Sequence, residues 1–332
     1  MTDQILTLDQ VELLAYDLLT KAGASPLQAT AVAKSTRLAE RDGIRSHGLL
    51  YIPIYAEHLK CGKVIGHAQP VVKTPKAGSV CVDAQNGFAH GAIDAGWNAL
   101  TSATKSCGIA AMTLFNSYNC GVLGHHAERL AQDGFVGLCF THAPASIAPW
   151  GGSKPVIGTN PFALGVPSGE GAAAFVVDQS ASVIAKSEIL LRSKSQTPLE
   201  EGWAVDKEGH PTTDAHAALQ GSLLPAGKYK GFGIGLMVEV LAAVLSGANL
   251  SQNASPFAGT AGGPPSTGQC FIAIDPYAFS GAGFFEQIKI LGNSIVAQEG
   301  AQLPGTKRAK NRLKTETNGV VVDNLLWDRL QS

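Results

Sequence analysis

Two apolar runs, Phe162–Pro167 and Ala172–Asp178, are separated only by Ser168-Gly169-Glu170-Gly171. Four turn-forming residues permit a hairpin but not the crossover of a dozen or more that a parallel pair requires. Whatever sheet holds these runs cannot be wholly parallel. Other strand-like runs, Val80–Asp83, Ala110–Phe115, residues 135–143 and 270–275, are spaced by helical segments. One sheet fed both by hairpins and by helical crossovers is mixed and largely antiparallel, an α/β (α+β) arrangement. With 332 residues, 45% of them hydrophobic, the chain can bury a large core and fill two domains.

The first 65 or so residues read as helical. Thr7-Leu8-Asp9-Gln10 is a capping-box pattern, followed by Val11, Leu14 and Leu18 at helical spacing. Ser25-Pro26 opens a second helix that closes at Asp42-Gly43, and residues 49–59 form a third despite Pro53. Further helices are expected at about 90–107, 180–191, 230–248 and 281–300, the 230–248 helix apolar on nearly every side and hence buried. Residues 192–228 are polar and turn-rich, a long excursion.

Charge excludes several classes. A net charge of −1 gives no pull toward nucleic acid or an anionic membrane. The longest apolar stretch is interrupted by Glu239 and glycines, so no bilayer span is expected. The opening MTDQILTLDQ lacks a basic region and an apolar run, so no secretory signal is expected. Six cysteines without a CxxC pair read as free, mostly buried thiols of a reducing, cytoplasmic protein. No G-x-G-x-x-G follows a strand, no P-loop is present, and no ligand spacing matches a zinc site.

Six places can carry chemistry. Arg45-Ser46-His47 forms a polar turn between apolar segments: either Ser and His cap neighbouring backbone, or His47 transfers protons. Asn116–Ala131 runs from a strand into a helix, either a capped start or a phosphate seat. Its His125-His126 pair diverges on a helix and reads as ordinary surface or interface histidines. Thr159-Asn160 precedes a proline, either an Asx turn or a hydrogen bond to a substrate carboxylate. Asp178 is an N-cap candidate, and Glu188, among apolar neighbours, calls for a partner. Lys230 begins a helix where a cation opposes the dipole unless an anion lies between. Lys307, Arg308, Lys310, Arg312 and Lys314 form either a solvated basic helix or a phosphate clamp, such as for the 2′-phosphate of NADP.

The segments RSHGLLYIP, NSYNCGVLG, GGSKPVIGTNPFALGVP, VVDQSASVIAKSEI, GKYKGFGIGLMVEVLAAVLSG and GQCFIAIDP occur in that order. In order and spacing they resemble the malate/L-lactate dehydrogenase-like family, and within it the Δ1-pyrroline-2-carboxylate/Δ1-piperideine-2-carboxylate reductases. The resemblance implies a non-Rossmann NAD(P)H-binding domain over 74–228 and a discontinuous helical, dimer-forming domain over 1–73 and 229–332. It implies a homodimer with the site in a cleft between domains, acting on a small molecule. The activity implied is NADPH-dependent reduction of cyclic imino acids to L-proline or L-pipecolate, NADH being the lesser cofactor; the alternative is a 2-hydroxy-acid dehydrogenase for malate, lactate, sulfolactate or ureidoglycolate.

By the same resemblance His47 is the acid/base group, with Ser46 beside it and Glu188 where the family usually has Asp. Arg45, Tyr51, Thr159, Lys186 and Ser187 fall on the substrate side. Asn119, Cys120, Gly121, Val122, Leu123, Asp178, Gln179, Ser180, Tyr229, Lys230, Pro304, Gly305, Lys307, Arg308 and Lys310 match cofactor contacts. Two departures stand out: Asn119 replaces a histidine common among relatives, and Tyr51 replaces an arginine present in some imino-acid reductases.

Overall fold

The fold, taken from a computed structural model, is described for residues 3–331, without the side chain of Ser187. A short strand, β1 (Gln4–Leu6), precedes α1 (Leu8–Lys21) and α2 (Pro26–Arg41). Thr7 caps α1 by the expected reciprocal pair of hydrogen bonds with Gln10, and Ser25 caps α2 with Pro26 in its first turn. Two 3-10 turns, Arg45–His47 and Leu49–Tyr51, lead into α3 (Ile52–Lys60), where Pro53 sits harmlessly in the first turn.

The central sheet takes β2 (Val71–Lys76), β3 (Ser79–Asp83), β4 (Ile109–Ser117), β5 (Val136–Thr141), β6 (Phe162–Pro167) and β7 (Ala173–Gln179). Helices α4 (Ala89–Cys107) and α5 (Leu123–Gln132) connect its inner strands. After β7 come α6 (Lys186–Ser195), β8 (Ala204–Val205), β9 (Pro211–Thr212), α7 (Ala215–Gln220) and β10 (Ser222–Leu223). The chain ends with α8 (Tyr229–Glu239), β11 (Thr267–Ile274), α9 (Gly283–Val296), α10 (Thr306–Asn318), β12 (Val320–Val322) and α11 (Asn324–Gln331).

The sheet order is β2-β3-β4-β11-β5-β6-β7. Among the described residues only β3–β4 is parallel; the other five neighbouring pairs are antiparallel. The mixed sheet expected from the 162–178 hairpin is present, with Phe162 opposite Gln179. Three cores result. Met112, Leu114, Phe271, Leu100 and Trp97 fill the space between the sheet and α4 and α5. Val11, Leu19, Val32, Tyr55 and Leu326 join α1–α3 to the C-terminal α11. Ile147, Ile157, Ile189 and Leu223 form a smaller core in the excursion.

Four expectations are corrected. Strand β11 lies at the centre of the large sheet rather than with a helical unit over 229–332, because its 270–274 run pairs on both edges with β4 and β5. Residues 180–185 are not helical: their backbone is committed elsewhere, Ala181 donating to Thr159 and accepting from Ala226, so the helix starts at Lys186. The 230–248 segment is helical only to Glu239, continues as a π-turn to Val244, and is not buried throughout. Leu236, Met237, Val244 and Leu245 are 47%, 46%, 58% and 59% exposed. Cysteines are evenly divided: Cys120, Cys139 and Cys270 are buried, Cys81 is half-buried, and Cys61 and Cys107 are exposed.

Strands β1, β2 and β12 escape a reading by apolar alternation, since β2 is exposed along its whole length at the sheet edge. Its Lys73, Pro75 and Lys76 are residues that blunt an edge against further pairing. No helix among the described residues is long and apolar enough to cross a membrane.

If β11 is the keystone of the sheet, truncating Phe271, which has no exposure, destabilises the whole molecule. Phe271→Ala should lower unfolding free energy by about 3–5 kcal/mol, read as a fall in urea midpoint at unchanged slope.

Candidate active site

The Arg45–His47 turn lies directly after α2, and its first anchor is main-chain: Ile44 N–H donates to Ala39 O, 2.8 Å. Ser46 Oγ lies 3.0 Å from His47 Nδ1. His47 Nε2 has no hydrogen-bond partner among the described residues. Burial lowers the imidazole pKa below the ordinary histidine value; the charge of Asp178 opposes that shift and His125 adds to it. A half-buried imidazole with one nitrogen oriented and the other available is equipped for proton transfer.

An aromatic stack leads from this ring into the core. Tyr51 lies nearly parallel to His47, with ring centroids 6.4 Å apart and an interplanar angle of 8°. Tyr51 meets Tyr55 edge-on at 4.7 Å, and Tyr55 meets Phe88 and Tyr118. Tyr55 Oη donates to Asn119 Oδ1 at 3.3 Å. Asn119 Oδ1 also accepts the Gly121 N–H at 2.7 Å, closing a tight turn in which Gly121 takes a φ of +71°. The structure thus brings Ser46, His47, Tyr51 and the Asn119–Gly121 turn to one place. Cys120, Val122 and Leu123 are buried behind it, the Cys120 thiol pushed up to about 12 by burial. His90, which no sequence signal marked, lies beside Tyr55 and is held neutral by burial, its pKa lowered to about 3.

The start of α5 is not a free phosphate seat. The Asp178 carboxylate fills it, Oδ2 accepting the Gly124 N–H at 3.0 Å and Arg308 Nη2 at 2.5 Å. The basic 307–314 cluster is divided accordingly. Arg308 serves Asp178, and Arg312 binds Asp42 and, in a fork, both oxygens of Glu128 at 3.0 Å. Lys307, Lys310 and Lys314 remain exposed and form no ion pair among the described residues. Pro304 O accepts the Val176 N–H, and Gly305 caps α10 with a φ of +92°, so this stretch is docked on β7.

The histidine pair is not at the surface. His125 is buried and its Nε2 lies 3.1 Å from Asp42 Oδ2; His126 Nε2 lies 3.0 Å from Cys120 O. Asp42, whose side chain has no exposure, also accepts from Arg41 Nε at 2.8 Å and from Arg312 Nε at 3.1 Å. These donors hold its carboxyl far below the usual carboxylate range although burial acts the other way. A hint was present in the sequence: Gln28, Ala29, Val32, Ala33, Thr36, Ala39 and Glu40 recur at helical spacing and form the buried stripe of α2, which carries Glu40 and Asp42 inward.

None of the other substrate-side candidates shares a hydrogen bond with the His47 ring among the described residues. Glu188 does not reach it; its carboxylate accepts from Arg192 Nε at 3.1 Å, one helical turn away, and the Ser46–His47–Glu188 relay is not assembled. An arginine four residues on is the nearer partner. Arg45 is exposed and pairs with Asp323 at 3.1 Å. Thr159 is half-buried, and Lys186, Tyr229 and Lys230 are exposed. Gln179 is exposed at the end of β7, and Ser180 Oγ lies 3.0 Å from Ser182 Oγ. The Ser187 side chain lies outside the described residues. Asn160, at a φ of +40°, is a buried latch: its Nδ2 donates to Gly235 O and Glu239 Oε2, both at 2.9 Å, tying the Asn-Pro turn to α8.

The family model for malate/L-lactate dehydrogenase matches residues 6–331. The chain belongs to this family. It is 41% identical to the (2R)-3-sulfolactate dehydrogenase (NADP(+)) of Chromohalobacter salexigens, over 92% of this chain and 91% of that one. It is 37% identical to the Δ1-pyrroline-2-carboxylate reductase of Ancylobacter novellus, over 98% and 96%. The crystal structure of Δ1-piperideine-2-carboxylate reductase from Pseudomonas syringae pvar. tomato superposes with a TM-score of 0.92 at 34% identity, covering 99% of both chains. As a family member the chain is an oxidoreductase with the mixed α/β fold of its relatives.

Removing one member of the Asp42 cluster leaves buried charge uncompensated. Asp42→Asn should cost about 3–5 kcal/mol in a denaturant titration at pH 7. Because the folded-state pKa of Asp42 is depressed, its stabilisation is complete above the unfolded value of about 3.9 and fades only as pH falls below it. The variant's deficit should therefore persist from pH 8 to pH 5.

Proposed function

We propose that this chain reduces cyclic imino acids, Δ1-pyrroline-2-carboxylate and Δ1-piperideine-2-carboxylate, to L-proline and L-pipecolate with NADPH. The observation that carries the reading is the character of the space around His47. Its neighbours, Ser46, Tyr51, Tyr55, His90 and Asn119, are uncharged polar or aromatic groups, and the charge that favours a cation there is that of Asp178. Aromatic faces suit an iminium cation, whereas a doubly anionic hydroxy acid calls for several fixed cations. The names of several relatives at 34–37% identity agree.

NADPH, when bound, supplies hydride to the imine carbon. The donor set fits a dinucleotide phosphate: Lys307, Lys310 and Lys230 are exposed cations, and Tyr229 offers an open ring, 63% exposed. Asp178, flanked by Gln179 and Ser180, is the acceptor for sugar hydroxyls, with Arg308 holding it in place. This nucleotide site needs no Gly-x-Gly-x-x-Gly turn, and its domain spans β2–β7 with β11 added from the C-terminal half.

His47 handles the proton. Burial makes its imidazolium a stronger acid than free histidine, ready to protonate the ring nitrogen, and Ser46 at Nδ1 fixes the ring. Glu188 joins this relay by leaving Arg192, its half-buried i,i+4 partner. Arg45 is likewise free to leave Asp323 for a substrate carboxylate, an exposed pair being worth at most about 1 kcal/mol; Thr159, Lys186 and Ser187 serve the same anion.

The apolar face of Leu236, Met237, Val244 and Leu245, with Ile290 and Leu291 of α9, is the surface of a homodimer. The unpaired thiols suit a reducing cytoplasm.

Steady-state assays with both imines, sulfopyruvate, pyruvate and oxaloacetate test the reading. Faster turnover of any keto acid than of either imine overturns it in favour of a 2-hydroxy-acid dehydrogenase, the activity named for the 41% relative. His47→Asn should lower kcat/KM for the imine by about 10²–10⁴-fold while NADPH fluorescence titrations stay unchanged. In the wild type, kcat/KM for imine reduction should fall as pH rises through a value under 6.5, since the acid form of His47 is lost there. A flat profile between pH 5 and 7 would remove His47 as the donor.

A further inference from the structure

His47 stands between two attachments to the last turn of α2. The first is the main-chain bond from Ile44 to Ala39 described above. The second is a side chain. The buried N–H of Leu49 has no backbone acceptor among the described residues; it donates to Glu40 Oε1 at 2.7 Å. Leu49 has no exposure and Glu40 is 6% exposed, so water does not compete for this bond. Burial pushes the Glu40 carboxyl up, while the Leu49 N–H and the charge of Arg45 act to lower it.

The intervening residue is shaped to this contact. A Cβ on Gly48 would lie 2.0 Å from Glu40 Oε1 and 2.5 Å from its Cδ, and the three nearest atoms it would meet all belong to Glu40. Gly48 therefore exists in this turn as the space the carboxylate occupies. The Gly48–Leu49 peptide is also the joint between the two 3-10 turns that carry His47 and Tyr51.

We infer that Glu40 is a positioning residue for the reaction: its carboxylate pins the Gly48–Leu49 peptide and so fixes where the His47 imidazole and the Tyr51 ring stand. Glu40 touches neither substrate nor cofactor and acts only through the backbone. The inference rests on His47 being the proton-transfer group of the proposed activity. Without the pin the turn keeps only the Ile44–Ala39 main-chain bond to α2, and a reacting group displaced by about 1 Å loses on the order of 10²-fold in rate.

Four variants decide it: Glu40→Ala, Glu40→Gln, Gly48→Ala and the Glu40→Ala/Gly48→Ala double. Glu40→Ala should lower kcat for the imine by about 10²-fold, with the dissociation constant for NADPH unchanged. Glu40→Gln, which keeps an oxygen acceptor for Leu49, should retain near wild-type kcat. Gly48→Ala should reproduce the loss by pushing the carboxylate aside. The double variant should be no worse than Glu40→Ala, because the three closest atoms the Cβ would strike are then gone.

The second readout is the His47 imidazole nitrogen spectrum, in which the Ser46–Nδ1 hydrogen bond should be altered in Glu40→Ala and Gly48→Ala and restored in Glu40→Gln. Additive losses in the double variant, wild-type turnover by Glu40→Ala, or unaltered imidazole signals in Glu40→Ala would overturn the assignment. Equal losses in the Gln and Ala variants would also overturn it, making charge rather than the hydrogen bond the cause. Wild-type enzyme that turns over no imine sinks the functional reading instead, and the imidazole signals then decide the role of Glu40 by themselves. Should Glu40→Ala fail to fold, Gly48→Ala and Glu40→Gln carry the test.

Discussion

One carboxylate with no exposure to water, Asp42, gathers the pieces from which the site is made. It binds Arg41 on its own helix, His125 from α5 and Arg312 from α10. These helices start in remote parts of the chain, and only their mutual docking puts the His47 turn next to the Asn119–Gly121 turn and the Asp178–Arg308 pair. The Coulomb attraction has to exceed the desolvation of several ions, and it is helped here because each carboxylate oxygen of Asp42 and Glu128 meets a donor. The result is a rigid corner at the C-terminal end of α2 from which the polar turn projects.

The same corner explains why the imidazole is poised as it is. Aromatic rings beneath His47 exclude water and push its pKa down, while Asp178, reached only because α5 and β7 converge, supplies an opposing negative charge. Neutral groups dominate the rest of the surroundings: His90 stays uncharged, and Asn119 is a neutral amide. Such a setting suits a small monocationic intermediate better than a polyanion, and in the proposed reading the charge of the nucleotide falls to the exposed lysines at the start of α8 and on α10.

Local signals were legible where neighbours in sequence decide the outcome. Thr7 and Gln10, Ser25 and Pro26, and the Ser168–Gly171 turn each act within a few residues, and the elements they predict are present. The polar Arg45-Ser46-His47 turn was marked because such a trio between apolar segments is costly without a use. Illegible features depend on distant partners. Strand β11 enters the sheet between β4 and β5 from more than 120 residues away. Arg308 and Arg312 looked like parts of a phosphate clamp until Asp178, Asp42 and Glu128 were seen to neutralise them. His125 looked like a surface residue because its acceptor lies 83 positions upstream. Glu188 was assigned to the relay by resemblance alone, and a nearer arginine holds it.

The central claim is that one imidazole delivers the proton taken up by the substrate nitrogen. A crystal structure of the enzyme with NADP+ and L-proline measures it most directly. The account predicts His47 Nε2 about 2.6–3.2 Å from the ring nitrogen of the amino acid, with Ser46 still on Nδ1. A ring nitrogen lying beyond hydrogen-bond reach of His47, and bonded instead to another side chain, would contradict it.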